Sequence, residues 1–296
     1  MLRKLAPALI VPLLATAACA TPAEDASVEV RTGAEAVLAL QSAPDVVADA
    51  GTASFEMVME MSVQGESLTL DAHGAYDATN GRMSMEIDMG AMFDDLAASS
   101  GVETPDGFDE PMRMVVDGTT IYMRAPMLSG AEEWVSLDPE DMGMSSDALG
   151  FGAGTYDPSS YLESLRGVSG EPEVVGTEEV RGVETTHYEA SMNLADAIAE
   201  APEEQRALVE EVLGQLGDGT IPLDVWVDAD GLPRRLAMDM GEMFSSLGLG
   251  SEMSAGMTME FFDYGQPVDI QVPSPDEVQP FTGLLGSDEG FGADAS

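Results

Sequence analysis

Cys19 is the one cysteine in 296 residues, and its setting assigns it a chemistry. The chain starts with the basic Arg3-Lys4, continues through an apolar run from Leu5 to Leu14, and reaches Cys19 through the small residues Ala15-Thr16-Ala17-Ala18. Those are the three regions of an export signal in order. Ala17-Ala18-Cys19 matches the last three positions of the lipobox cut by lipoprotein signal peptidases, with Thr16 where that motif usually carries Leu. The reading is that Cys19 becomes the acylated first residue of the exported chain. An ordinary secretory signal cut nearby would instead leave Cys19 as an incidental thiol, an awkward residue in an oxidising compartment.

The other reactive side chains do not assemble into a recognisable catalytic pattern. His73 and His187 are the only histidines, both sit in strand-like segments, and neither has the Cys or HxxxH spacing of a zinc site. Gly150-Phe151-Gly152-Ala153-Gly154 lacks the preceding strand and following helix that a dinucleotide loop requires. Asp228-Ala229-Asp230-Gly231 shares a fragment of a calcium loop but has no bidentate Glu at the twelfth position. No Gly-x-Ser-x-Gly elbow occurs. Carboxylates are so abundant that no acid pair stands out. The chain reads as a non-enzyme with no metal and no cofactor.

Charge limits the partners. The formal net charge is −44, and loss of Arg3 and of Lys4, the only lysine, with the signal takes it to −46. Such a surface repels phosphate backbones and anionic headgroups, which excludes nucleic acid and electrostatic membrane docking. The acidity reads as a solubility device of an acid-rich, salt-tolerant proteome rather than as a site for a cationic partner. Membrane attachment would come through Cys19 alone, since Leu5 to Leu14 is far shorter than the roughly 20 residues that span a bilayer and acyl chains hold a soluble domain at about 0.8 kcal/mol per buried CH₂.

The elements follow from the spacing of apolar residues. Phe55, Met57, Met59, Met61 and Val63 alternate with polar positions, the period of a strand with one apolar face. Leu68, Leu70, Ala72, Gly74 and Tyr76 repeat it after a turn at Gln64-Gly65-Glu66. Met83, Met85, Ile87 and Met89 form a third row, Met112, Met114 and Val116 a fourth, and Ile121 with Met123 a fifth beyond the Asp117-Gly118 hairpin signal. Five strands with short or medium links predict an antiparallel meander. Later strands are predicted over Glu171 to Val180, Val183 to Met192, Ile221 to Val227, Arg234 to Met240, Met257 to Tyr264 and Val268 to Val272. Helices are predicted over Ala34 to Ala50, where Pro44 should kink or split the element, over Tyr156 to Leu165 entered through Asp157-Pro158, over Pro202 to Leu216, and weakly around Met92 to Ser99.

A sheet with one apolar face must be covered, and few helices are available. The fold class is therefore α+β, a curved antiparallel sheet partly covered by a few helices around an apolar interior. Methionine, present 21 times, suits an interior that repacks around ligands of different shape. Plain core packing is the alternative use of such rows. The candidate lining residues are Phe55, Met57, Met59, Met61, Leu70, Met83, Met85, Ile87, Met112, Met114, Met238, Met257 and Met259.

Three stretches carry a resemblance. Gly182-Val183-Glu184-Thr185-Thr186-His187-Tyr188-Glu189-Ala190, then Leu223 to Leu236 with its Asp228-Ala229-Asp230-Gly231-Leu232-Pro233 turn, then Asp263-Tyr264-Gly265-Gln266-Pro267-Val268-Asp269-Ile270 with Pro273, resemble the second half of the mycobacterial lipoprotein family that includes LppX, LprA, LprF and LprG. That family shares its fold with the LolA and LolB lipoprotein carriers and also carries a lipobox. The resemblance implies a half-barrel sheet closed by helices around a cavity for acylated lipids, acting in lipid export to the cell surface with an envelope partner. This chain departs from the family in its glycine- and methionine-rich insertions around Gly90 to Glu110 and Leu128 to Gly154, and in its acidity. The implied organisation is a signal over 1–18, a lipidated tether over 19–33, one lipid-binding domain over 34–280 and an acidic tail over 281–296. The implied location is the outer face of the cell membrane. The competing expectation is an envelope scaffold or ligand-sensing lipoprotein of the same fold with a closed core.

Overall fold

A computed structural model describes residues 31–63, 66–90, 110–125, 134–138, 162, 164–193, 220–241 and 253–280. Cys19, the tether up to residue 30, the acidic tail and the predicted helices around Met92 to Ser99 and over Pro202 to Leu216 lie outside the described residues.

Within them the chain forms one helix, α1 (Ala34–Ala50), and twelve strands: β1 (Thr52–Val63), β2 (Glu66–Asp77), β3 (Arg82–Asp88), β4 (Met112–Asp117), β5 (Thr120–Arg124), β6 (Trp134–Leu137), β7 (Val168–Val180), β8 (Val183–Asn193), β9 (Thr220–Asp228), β10 (Pro233–Asp239), β11 (Met253–Phe262) and β12 (Val278–Pro280). All twelve belong to one sheet in the order β12-β6-β5-β4-β3-β2-β1-β11-β10-β9-β8-β7. Two meanders, β1 to β6 and β7 to β11, are joined where β1 pairs antiparallel with β11. The result is an open, curved antiparallel sheet in which only β12 runs parallel to its neighbour, β6. The fold class read from the alternation is the one observed.

Turn chemistry sets the registers. Arg181 and Gly182 both have positive φ, 50° and 78°, and link β7 to β8 directly from Val180 to Val183. Two left-handed residues in a two-residue loop match the twist of the strands they join. Gly118, at φ 62°, begins the corresponding link from β4 to β5. Between β9 and β10 the Asp228 carboxylate accepts the backbone N–H groups of Asp230 (2.9 Å) and Leu232 (3.0 Å) and the Nε of Arg234 (2.7 Å). The fragment that resembles a calcium loop is a carboxylate-fixed hairpin.

Helix α1 turns Ala36, Leu40, Ala43, Pro44 and Val47 inward at helical spacing. It runs through Pro44 as one element, so the predicted split does not occur: the missing N–H costs one backbone bond, and the Pro44 ring is itself buried. Gly51, at φ 79°, ends the helix by donating to the carbonyls of Val47 and Ala48. Gln41 Nε2 donates to the Val168 carbonyl (3.0 Å), and Arg166 pairs with Asp45 (2.7 Å), fixing α1 beside β7 and the short 3₁₀ turn Ser164–Gly167.

Other boundaries differ from the pattern. Val268 to Val272 is not a strand: Val268, Ile270 and Val272 keep a half-buried alternation, but the segment joins no ladder. Pro267 and Pro273 flank it, each without an N–H to donate. Of the helix predicted over Tyr156 to Leu165, only Leu162, in helical conformation, and the 3₁₀ turn beginning at Ser164 fall within the described residues. β11 starts at Met253 and stops at Phe262, and β7 starts at Val168. β6 and β12 were absent from the pattern reading, being four and three residues long.

Candidate functional site: the inner face of the sheet

Register places side chains from many strands in common rows. On one face, Phe261, Phe55, Gly74, Met85, Met114, Met123 and Val135 follow one another from β11 to β6. The next row holds Tyr188, Val225, Leu236, Met259, Met57, Ala72, Ile87 and Met112. A third holds Ala190, Leu223, Met238, Met257, Met59 and Leu70. In a fourth, Met61 lies opposite Ala255 and Leu68, and the Met240 N–H bonds the Ala255 carbonyl. All thirteen candidate lining residues stand on this face.

Burial divides them. Phe55, Met57, Met83, Met85, Ile87, Met114, Met238, Met257 and Met259 are buried, whereas Met59, Met61, Leu70 and Met112 are half-buried. The half-buried ones cluster toward one end of the sheet, with Leu68, Met89 and Met240. Helix α1 contributes Ala36, Leu40, Ala43 and Val47 to the same cluster.

The opposite end is closed by residues the pattern reading did not select. Phe261 is fully buried beside Phe55. The Phe55 ring lies over Gly74, where a β-carbon would stand 2.6 Å from Phe55 Cζ and 2.0 Å from the Ser84 carbonyl oxygen. Only glycine fits there. Tyr76 is buried, and the Tyr264 hydroxyl donates to the Pro233 carbonyl (2.6 Å) beneath Arg234, whose guanidinium sits 5.1 Å from the Tyr264 ring centre. Arg234 pairs with buried Asp228 (2.7 Å). Burial, then the neighbouring Tyr76 and Asp228, push the Tyr264 hydroxyl well above its ordinary pKa against the opposing pull of Arg234. Phe261 was legible, since it continues the Met257, Met259 alternation. Tyr264 was visible only through the family-like stretch.

The other face of the same strands is charged. One row reads His187, Trp226, Arg235, Glu260, Glu56, His73, Glu86, Arg113, Arg124 from β8 to β5. Arg235 pairs with Glu260 (2.6 Å), Arg113 with Glu86 (2.8 Å), and Arg181 with both Glu260 (2.7 Å) and Glu56. Burial raises the Glu260 carboxyl, but the hydrogen bonds and charges of Arg235 and Arg181 outweigh it and hold the group below its ordinary range. His187 stacks on Trp226 at 4.1 Å between ring centres, with Nε2 2.7 Å from Asp224, and the Trp226 indole donates to Glu178. These contacts tie β7, β8 and β9 together on the outer face. His73 stands between Glu56 and Glu86 in a shallow groove of about 290 Å³. Among the described residues, no group of three His, Cys, Asp or Glu side chains is placed to hold a metal ion. No described helix is long and apolar enough to cross a membrane.

No family model matches the chain. It is similar to an uncharacterized 31.2 kDa protein of Streptomyces griseus, 28% identical over 244 residues that make up 79% of this chain and 73% of that one. Among solved structures it is similar to the Mycobacterium tuberculosis lipoprotein LppX, at 14% identity and TM-score 0.44 over 79% of this chain and 99% of that one. It is also similar to LprF of Mycobacterium bovis, at 16% identity and TM-score 0.44 over 82% and 100%.

Proposed function

We propose that the protein is a membrane-anchored envelope lipoprotein that binds or transfers acylated lipids through the inner face of its sheet. The observation that carries this reading is the inner face itself. At least four successive cross-strand rows are apolar, they are rich in methionine, and their burial falls off toward one end of the sheet. An apolar chain moved from water into such a face gains about 25 cal/mol per Å² removed from solvent, and unbranched methionine adapts to chains that differ in shape. The family resemblance of Gly182 to Ala190, Leu223 to Leu236 and Asp263 to Pro273 supports the same reading.

Attachment is assigned to Cys19, acylated after signal cleavage, with residues 19–33 as the tether that keeps the domain over residues 34–280 at the outer face of the cell membrane. Transfer needs no bond chemistry, so no catalytic residue, metal or cofactor is assigned.

The second reading is a closed envelope scaffold or sensor of the same fold, favoured by the near-complete burial of Phe55, Met257 and Met259. Native mass spectrometry of the signal-free protein purified from a lipid-containing host separates the two. Bound acyl lipid supports the carrier; its absence, together with no uptake of a fluorescent acyl probe, establishes the closed core. Radiolabelled palmitate incorporation that is lost in Cys19→Ser checks the anchor.

A further inference from the structure

The two edges of the sheet are guarded by different means. β7 carries Pro172, Glu171, Glu173, Glu178 and Glu179 and two irregularities of register, devices that keep a further strand from pairing there. β6, Trp134-Val135-Ser136-Leu137, has no charge and no proline. Its edge is covered by β12, which pairs in parallel and ends at Pro280, a residue with no N–H to donate.

An extended strap brings β12 to that edge. It leaves β11 near the Phe55–Phe261 floor of the sheet, through a turn in which Asp263 and Gly265 are left-handed, at φ 53° and 69°. There the Gly265 N–H donates to the Thr52 carbonyl (2.9 Å) and the Thr52 hydroxyl to the Gln266 carbonyl (2.7 Å). At the far end the Trp134 N–H donates to the Glu277 carbonyl (3.0 Å), in a turn fixed by Ser274, whose N–H and hydroxyl donate to the Glu277 carboxylate. Thr52 and Trp134 are five strands apart, and Trp134 stands nearer the half-buried Met59–Met61 rim. The diagonal between them is about 27 Å, and Gln266 to Glu277 reaches about 36 Å when extended.

That diagonal crosses one row of the outer face. Ser54, Ala75, Ser84, Val115 and Tyr122 are cross-strand neighbours from β1 to β5, and none is charged. The rows on either side hold Glu56, Glu86 and Arg113, and Asp77, Arg82 and Asp117. Val115 faces away from the inner cluster and is not one of its members, yet it is only 5% exposed. A valine on the outer parity is hidden only if chain lies over it. Val268, Ile270 and Val272 are half-buried at every second position, the pattern of an extended segment with one apolar side.

We propose that this uncharged row and the β6 edge form a docking lane for an extended segment, that residues 266–280 fill it in cis as a detachable strap, and that a lifted strap leaves the lane open to the same segment of a second copy. The strap already displays the fit, so a second copy needs no new surface. The short connection at Asp263 to Gly265 keeps the strap at high effective concentration, which makes the lane autoinhibited. A strap closed for roughly 99% of the time weakens a competitor's apparent affinity about 100-fold. The lane lies on the face opposite the lipid-binding reading and does not depend on it.

The test measures fluorescence anisotropy of a labelled peptide with the sequence of residues 266–280, which stands for the second copy's strap. The full chain carrying Ile270→Asp and Val272→Asp, which charge the strap's half-buried side and leave the lane intact, should bind the peptide about 100-fold more tightly than wild type. A chain ending at Gly265, with the lane empty, should do the same. Adding Ser84→Arg, which fills the row, should abolish the gain in both. Hydrogen exchange at the Trp134 amide, the donor to Glu277, should quicken in the doubly substituted chain as the strap lifts. Sedimentation of the shortened chain mixed with wild type should show a one-to-one complex. Unchanged exchange at Trp134 overturns the detachable strap. Equal peptide affinity in wild type and in both variants, or a gain that survives Ser84→Arg, overturns the lane, and absence of the mixed complex overturns the second copy as its occupant.

Discussion

The two faces of the sheet are made by the same strands, one residue out of step, and they hold the molecule together by different means. Along the inner face run Val225, Leu236, Met259, Met57, Ala72 and Ile87; along the outer face, one position away in each strand, run Trp226, Arg235, Glu260, Glu56, His73 and Glu86. A slip of one residue would exchange the two sets, which is why the register is strongly specified. Inner-face contributions scale with buried area and with the cavity that truncation leaves. Outer-face contributions come from ion pairs in water, typically 0.2–1 kcal/mol each. The comparison teaches that stability is concentrated on the face proposed to bind ligand, and that the charged face contributes solubility and register.

Truncating the floor should have the largest effect. Phe261→Ala removes a fully buried ring packed beside Phe55 and is expected to cost about 3–5 kcal/mol in urea unfolding. If the cost were below about 1 kcal/mol, the floor would be loosely packed and the contrast between the two ends would fail. Met257→Ala, also fully buried, should lose about 2–5 kcal/mol. Met61→Ala on the half-buried rim should lose well under half of that, because its side chain is already partly in water. Equal losses at the two methionines would remove the graded interior.

Gly74→Ala tests the close approach at the floor from the other side. The added methyl meets the Ser84 carbonyl of the paired strand, which is backbone and cannot swing aside. The expected loss is about 1–3 kcal/mol, the usual range for overpacking, with the β2–β3 amides losing hydrogen-exchange protection first.

How much of this was legible depends on length and alternation. β1, β2 and β3 were legible because Phe55 to Val63 and its neighbours alternate over seven or more residues, and the Asp117-Gly118 and Arg181-Gly182 turns declared their hairpins. The shared face of the thirteen candidate residues followed from parity, although parity did not single them out from neighbours such as Phe261, Leu236 and Val225 on that face. β6 was not legible: Trp134-Val135-Ser136-Leu137 is too short for a period to show, and its pairing with β12 is a contact between residues more than 140 positions apart. Val268 to Val272 shows the converse failure, since alternation with prolines at both ends produced an extended segment outside the sheet. The division into floor and rim was invisible, because exposure along a strand depends on what packs above it.

Acidity and alkalinity act on the two faces in opposite directions. Glu260 on the outer face has its folded pKa held below the unfolded one, so its contribution is present above the unfolded value and is lost as pH falls through the folded one. Tyr264 at the floor has its folded pKa raised, so its contribution is full below the unfolded value near 10 and declines as pH rises above it. Thermal melts should show the acid-side loss reduced in Glu260→Gln and the alkaline-side loss reduced in Tyr264→Phe. If the two substitutions changed the same limb, the assignment of each group to its face would be wrong.

The smallest effect belongs to Arg181, which combines both kinds of term at one turn. Its guanidinium pairs with Glu56 and Glu260 and lies 4.1 Å from the Phe262 ring centre, while its backbone holds a φ of 50°. Left-handed backbone costs a non-glycine residue roughly 1–2 kcal/mol, and two exposed pairs return about 0.2–1 kcal/mol each. Arg181→Ala loses the pairs and keeps the strain, so it should destabilise by up to about 2 kcal/mol. Arg181→Gly loses the pairs and relieves the strain, so it should lie within about 1 kcal/mol of wild type. Added salt should narrow the gap between wild type and Arg181→Ala by screening the pairs, and should leave the gap between the two variants unchanged, because that gap is backbone strain. A gap between the variants that closed with salt would show that charge, and not the turn, sets the stability of this corner.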